Sequence, residues 1–213
     1  MFLGKAGTFF VVAGAIVLAG VGDGNASVDN HQGNAKDTLD TYQEITLNES
    51  DRPRQKQTDA ETSYDRGNSF YASGDYQSAI TAYNQAIRLK PNHASAYNNR
   101  GNAKDALEDY QGAIADYSEA IRLEPDYAIP YYNRAITKKT LEDYQGAIAD
   151  YSEAIRLKPD YPEAYGNRGL TKIRLGDKKG ALADLTDAAQ IFKQQRRMDD
   201  YRKAMELIRK YKL

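Results

Sequence analysis

Cysteine is absent from the 213 residues. Disulfides, thiolate zinc sites, iron–sulfur clusters, thiol catalysis and lipid attachment through cysteine are therefore excluded. Tryptophan is also absent, and His31 and His93 are the only histidines, too few for a His-rich metal site within one chain. Neither sign of charge dominates: 29 Lys+Arg face 30 Asp+Glu, which argues against a whole-protein affinity for nucleic acid. No glycine-rich phosphate loop occurs, and neither histidine is placed to serve a serine nucleophile. Against these absences stands an excess of tyrosine, with 17 copies.

Long hydrophobic runs are also lacking, with one exception. Ala6 to Gly22 carries no charge over 17 residues and follows Lys5. As a helix it spans roughly 26 Å, against about 30 Å for a hydrocarbon core. Gly24-Asn25-Ala26 supplies small residues before Ser27, as a signal-peptide cleavage site requires. A cleaved signal peptide over residues 1–26 and an uncleaved anchor both fit. Either places the remainder of the chain on the far side of a membrane: periplasm, lumen or extracellular side. Residues 27–59 are polar and poor in aliphatics, and read as a flexible linker with a short helix near Thr38–Leu47. Asn48-Glu49-Ser50 matches the short glycosylation pattern, and His31 reads as a solvated linker residue.

The rest of the chain repeats. Glu108–Leu123 and Glu142–Leu157 are identical over sixteen residues at an offset of 34, and Pro91, Pro125 and Pro159 keep the same spacing. With proline at position 32, units begin at Ala60, Ala94, Ala128 and Pro162, giving 60–93, 94–127, 128–161 and 162–195. Position 8 is Gly67, Gly101, Ala135 and Gly169; position 20 is Ala79, Ala113, Ala147 and Ala181. Position 24 is Tyr83, Tyr117, Tyr151 and Leu185; position 27 is Ala86, Ala120, Ala154 and Ala188. In the second unit Ala113, Tyr117, Ala120 and Ile121 share one face of a helix.

Each unit thus reads as two helices, A and B, joined by a short turn. Helix A of the second unit is expected at about Ser95–Ala106 and helix B at Tyr110–Leu123. Small residues at positions 8, 20 and 27 let helices approach, and tyrosine at 24 fills the space they frame. Tyr76, Tyr110 and Tyr144 open helix B, and proline at 32 stops it. One or two tyrosines per unit thus account for the composition. The paired acids Glu108-Asp109 and Glu142-Asp143 read as macrodipole partners at a helix start rather than catalytic carboxylates. Arg66, Arg100, Arg134 and Arg168 hold position 7. Arg100, Arg134 and Arg168 are expected to pair with Asp116, Asp150 and Asp184 at position 23; Ala82 leaves Arg66 without that partner. The fourth unit is degenerate, with Leu185 for tyrosine and Lys193 for proline. Residues 196–213 follow as a cap, with Tyr201, Met205 and Ile208 on one face of a helix over Met198–Tyr211. A basic amphipathic membrane helix is the alternative for that segment.

The 34-residue period and these positions resemble the tetratricopeptide repeat family. The resemblance implies an all-α fold: a right-handed superhelical solenoid of antiparallel helix pairs, with four units and a C-terminal capping helix. It also implies that helix A lines a concave groove, facing it with positions 2, 5, 9, 12 and 13. The candidate groove residues are then Tyr64, Asn68, Tyr71, Asn98, Asn102, Asp105, Tyr132, Lys139 and Arg174, accompanied by Ile136, Gly166, Leu170 and Ile173. Some members of the family clamp a chaperone C-terminal carboxylate with lysine, arginine and asparagine at fixed positions. Both registers here, Tyr64/Asn68/Asn99/Ile129/Asn133 and Asn98/Asn102/Asn133/Glu163/Asn167, keep the asparagines and lack every cation. That role is rejected.

The expectation is a non-catalytic scaffold that binds a protein or peptide without cofactor or metal, exported or tethered, serving assembly of a membrane or envelope complex. A self-associating module and an enzyme with an unrecognised site are the rivals. Lys172–Leu213 carries 12 basic and 6 acidic residues, against 12 and 16 in Ala60–Thr171, so the basic end could meet an acidic partner or an anionic surface.

Overall fold

A computed structural model describes residues 35–211, with side chains from Pro53 onward. The uncharged run 6–22, the cleavage site before Ser27, and His31 lie outside the described residues, as does the side chain of Asn48. The chain divides into two compact units, Met1–Pro53 and Arg54–Leu213. Nine α-helices and no strand occur among the described residues.

Helix α1 runs from Ala35 to Ala72 and so enters the first repeat from a segment whose composition reads as a spacer. No glycine or proline interrupts residues 35–52, and side chains bridge successive turns further on. Gln55 donates to Asp59 and Gln57 to Glu61, each four residues on.

The repeats then alternate A and B helices: α2 (Tyr76–Leu89), α3 (Ala94–Ala106), α4 (Tyr110–Leu123), α5 (Ala128–Thr140), α6 (Tyr144–Leu157), α7 (Pro162–Arg174) and α8 (Lys178–Gln194). Each B helix is opened by an aspartate at position 16. Asp75, Asp109, Asp143 and Asp177 accept from the backbone N–H three residues on, at 3.1, 3.0, 2.9 and 2.8 Å. The residue before each cap turns left-handed: Gly74, Glu108, Glu142 and Gly176. The acidic pairs therefore divide their work. Asp109 and Asp143 are caps, whereas Glu108 and Glu142 sit in the turn. Proline after Lys90, Glu124 and Lys158 ends α2, α4 and α6 at 14 residues each. Where Lys193 replaces it, α8 continues to 17 residues.

The core follows the repeat positions. Tyr83, Tyr117, Tyr151 and Leu185 are buried, as are the alanines at positions 20 and 27. A Cβ on Gly67 or Gly101 would lie 2.5 or 2.7 Å from the ring of Tyr83 or Tyr117, which explains the small residue at position 8. α9 (Met198–Tyr211) packs on α8. Ala188, Ala189, Phe192 and Ala204 form the joint, with Tyr201, Met205 and Ile208 against it. The apolar side chains of α9 thus pack against α8. Among the described residues, no helix is long and apolar enough to cross a membrane.

A second layer of polar contacts fixes the stack on the side of the position-7 arginines. Arg100, Arg134 and Arg168 each grip Asp116, Asp150 and Asp184 with two donors at 2.6–2.9 Å. Lys104, Lys138 and Lys172 approach the same carboxylates at 2.8 Å. The third arginine nitrogen reaches back to the previous B helix, at Asn84, Ser118 and Ser152. The expected pairs are present, and each also ties one unit to the unit before it. Arg66 instead lies over the ring of Phe70 at 5.6 Å.

Candidate binding groove

The A helices of successive units approach one another, α3 with α5 and α5 with α7, whereas the main contacts of each B helix are to its neighbours in the chain. The stack therefore curves with the A helices inside, and the groove positions fall on that inner layer.

An asparagine ladder runs along it. Asn99 on α3 donates to the Tyr64 hydroxyl at 3.0 Å and to Asn68 Oδ1 at 2.9 Å, both on α1. One unit on, Asn133 on α5 donates to Asn98 and Asn102, each at 3.0 Å. The buried tyrosines join the same ladder: the hydroxyls of Tyr83 and Tyr117 donate to Asn68 and Asn102, each at 2.9 Å. Burial pushes the Tyr83 phenol up to about 12 and raises that of Tyr117 further, so both remain protonated donors. Asp105 accepts from the buried Thr137 hydroxyl of the next unit.

The pattern changes in the third unit. Ile136 stands where Asn68 and Asn102 stood, and the buried Tyr151 hydroxyl has no hydrogen-bond partner. Asn167 donates to the Tyr132 hydroxyl at 3.0 Å and accepts from Lys139 at 3.3 Å. Burial holds the Lys139 ammonium below its ordinary lysine value.

Models of the family described as "TPR repeat" match residues 67–104 and 139–176, and one described as "Tetratricopeptide repeat" matches 94–127. Residues 67–127 and 139–176 are tetratricopeptide repeats. Solved structures agree on the fold of this repeat protein. One titled "Crystal structure of MamA" is 22% identical with a TM-score of 0.63, covering 80% of this chain and 99% of that one. The Arabidopsis OM64 TPR domain is 27% identical with a TM-score of 0.52, covering 56% and 96%. The first TPR of Spaghetti (RPAP3), bound to the HSP90 peptide SRMEEVD, is 24% identical with a TM-score of 0.55, covering 56% and 95%. No curated protein matches the sequence.

Within the repeat protein's groove, the nine candidate residues separate into two kinds. Asn98 is 2% exposed, donating to Asn99 and accepting from Asn133, so its amide is spent on stacking. Tyr64, Asn68, Asn102 and Tyr132 are partly exposed but also tied into the ladder. Tyr71 is exposed and lies with Asn68 and Asn102 on a cleft of about 120 Å³. Tyr71, Asn102 and Asp105 share the next cleft with Asn133 and Ile136. Lys139 and Arg174 meet at a larger one of about 710 Å³, together with Leu170 and Ile173.

Residues outside the nine matter equally. Position 6, Asn99, Asn133 and Asn167, supplies every rung, and its recurrence at 34 residues was the available signal. Tyr144 and Tyr211 also line the 710 Å³ cleft. Tyr211 lies outside the repeat and has no register to announce it. Among the described residues, no cluster of His, Asp and Glu is arranged to hold a metal ion.

Proposed function

We propose that this chain is a non-catalytic scaffold that holds an extended segment of another protein along its A-helix groove. The observation that carries this is the pre-set groove itself. Its walls are locked by the asparagine ladder, while Tyr71, Ile136, Ile173 and Arg174 line clefts along it. A surface already held in place loses little entropy when a peptide docks, and tyrosine and asparagine offer broad contact and adaptable hydrogen bonds. The uncharged run at 6–22 supports placement beyond a membrane, as an exported or tethered adaptor for a membrane or envelope complex.

The test is capture by the full-length protein from its own cells, split into membrane and soluble fractions, with intact mass on the captured bait. A defined partner lost on Tyr71→Ser with Ile173→Ser, and kept on the outer-face control Arg122→Ala, is the expected result. A mass starting near Ser27 identifies export with cleavage; an uncut chain in the membrane fraction identifies an anchor. A partner that survives both groove substitutions overturns the groove reading.

A further inference from the structure

The two halves of the groove differ in chemistry. In the first half, position 9 is asparagine and position 12 is Tyr71 or Asp105. In the second half, position 9 becomes Ile136 and Leu170, and position 12 becomes Lys139 and Ile173. The change has a cost in the stack, because Ile136 leaves the buried Tyr151 hydroxyl without an acceptor. The second half gives up a rung of the ladder and gains an apolar floor with two cations.

Those cations stand apart from the others on the A helices of units two to four. Arg100, Lys104, Arg134, Lys138, Arg168 and Lys172 all pair with a buried aspartate. Among the described residues, neither Lys139 nor Arg174 pairs with any carboxylate. Lys139 is half-buried, and its one polar contact there is the neutral Asn167 carbonyl at 3.3 Å. Burial without a counter-charge disfavours the ammonium, as its lowered pKa reflects. Arg174 opens onto the same cleft, which Leu170 and Ile173 floor and the Tyr144 and Tyr211 rings border. Its volume of about 710 Å³ lies in the range of ligand pockets, which run about 300–1,000 Å³.

We propose that this cleft is a subsite for an acidic side chain of a bound peptide, with an aliphatic residue beside it. The inference rests on the groove reading above and assigns one end of it. A peptide carboxylate supplies the counter-charge that Lys139 lacks, and the Arg174 guanidinium can grip it with paired donors. The neighbouring aliphatic side chain covers Leu170 and Ile173. This apolar floor favours a peptide over a small inorganic anion, which would leave it wet. The site uses positions 12 and 13 of the third and fourth units. It differs from the terminal-carboxylate clamp, whose cations the chain lacks. Asp105 in the other half repels a second acid, so the acidic residue is directed to this end.

The test uses full-length protein on an array of random decapeptides, acetylated and amidated so that every carboxylate belongs to a side chain. The wild type is expected to select Asp or Glu adjacent to Leu, Ile or Met. Lys139→Gln with Arg174→Gln should weaken the selected peptides at least tenfold. Lys139→Glu with Arg174→Glu should reverse the selection toward Lys and Arg, a gain that misfolding cannot mimic. Wild-type selection without acidic residues, or acidic selection unchanged in the Gln pair, overturns the subsite. The groove reading survives that result if Tyr71→Ala alters the selected set. An array on which the wild type retains no peptide overturns both. Binding restricted to peptides with a free C-terminus, in a parallel array, overturns the side-chain assignment.

Discussion

Tyr117 couples packing to hydrogen bonding in a single side chain. Its ring lies against Gly101 and its hydroxyl donates to Asn102 on the groove side. Tyr117→Ala should cost about 3–5 kcal/mol by opening a cavity, whereas Tyr117→Phe should cost about 1 kcal/mol for the lost hydrogen bond; denaturant midpoints separate the two. The left-handed turn offers an opposite change. Glu108 has φ of 63°, where the first and fourth units place glycine. Glu108→Gly should raise the melting temperature, since a non-glycine residue there costs roughly 1–2 kcal/mol, offset in part by greater freedom of the unfolded chain. His93 gives a pH dependence. It is buried against the Tyr64 ring at 4.8 Å, and its Nε2 lies 3.5 Å from Glu61 without a hydrogen bond. Burial, aided by Lys90, lowers its pKa against the opposing pull of Glu61 and Glu124. The native state therefore takes up the proton less readily than the unfolded chain. This contribution is complete above about pH 6.5, the unfolded value, and is lost as pH falls through the lowered native value. Melting curves from pH 7.5 to 5 should show that loss, and His93→Gln should flatten it.

At the scale of helices, the arginine–aspartate–lysine clusters join A to B within a unit and each A helix to the B helix of the unit before. Asp150 is 6% exposed and answers two cations. Asp150→Ala should cost about 3 kcal/mol, because both cations are left without a counter-charge. Arg66→Ala should cost under about 1 kcal/mol, the usual range for a surface change, since that arginine rests on Phe70. Equilibrium unfolding of the two variants checks the contrast. Helix length obeys a still simpler rule: α2, α4 and α6 stop before proline, and α8 runs on without it.

For the molecule as a whole, α9 is both a lid on the last unit and a wall of the groove. Phe192 and Ala204 bury its joint with α8, and Tyr211 borders the cleft that Lys139 and Arg174 line. Removing residues 198–213 should lower the melting midpoint and produce concentration-dependent association, as an uncapped solenoid end exposes its core. Scattering mass against concentration reads the second effect. The same truncation should weaken any peptide held at the Lys139–Arg174 end more than one held near Tyr71.

The sequence by itself determined the period, the buried positions 8, 20, 24 and 27, the arginine–aspartate pairs and a helix over Met198–Tyr211. Those features are local, or recur at a fixed spacing, so helix periodicity and steric size suffice to read them. Through the family resemblance it also pointed to the A-helix face as the candidate groove. Only the tertiary structure decided which groove residues remain open. Asn98 and Asn102 are four residues apart on one helix, yet Asn98 is buried in the stack while Asn102 reaches a cleft. Both accept from Asn133 of the following unit at 3.0 Å, a contact that no single unit contains. The helical state of residues 35–59 and the meeting of Lys139, Arg174 and Tyr211 belong to the same class. Composition describes what a segment can bury. Which side chains meet depends on the rotation between successive helix pairs, a property that exists only once they are stacked.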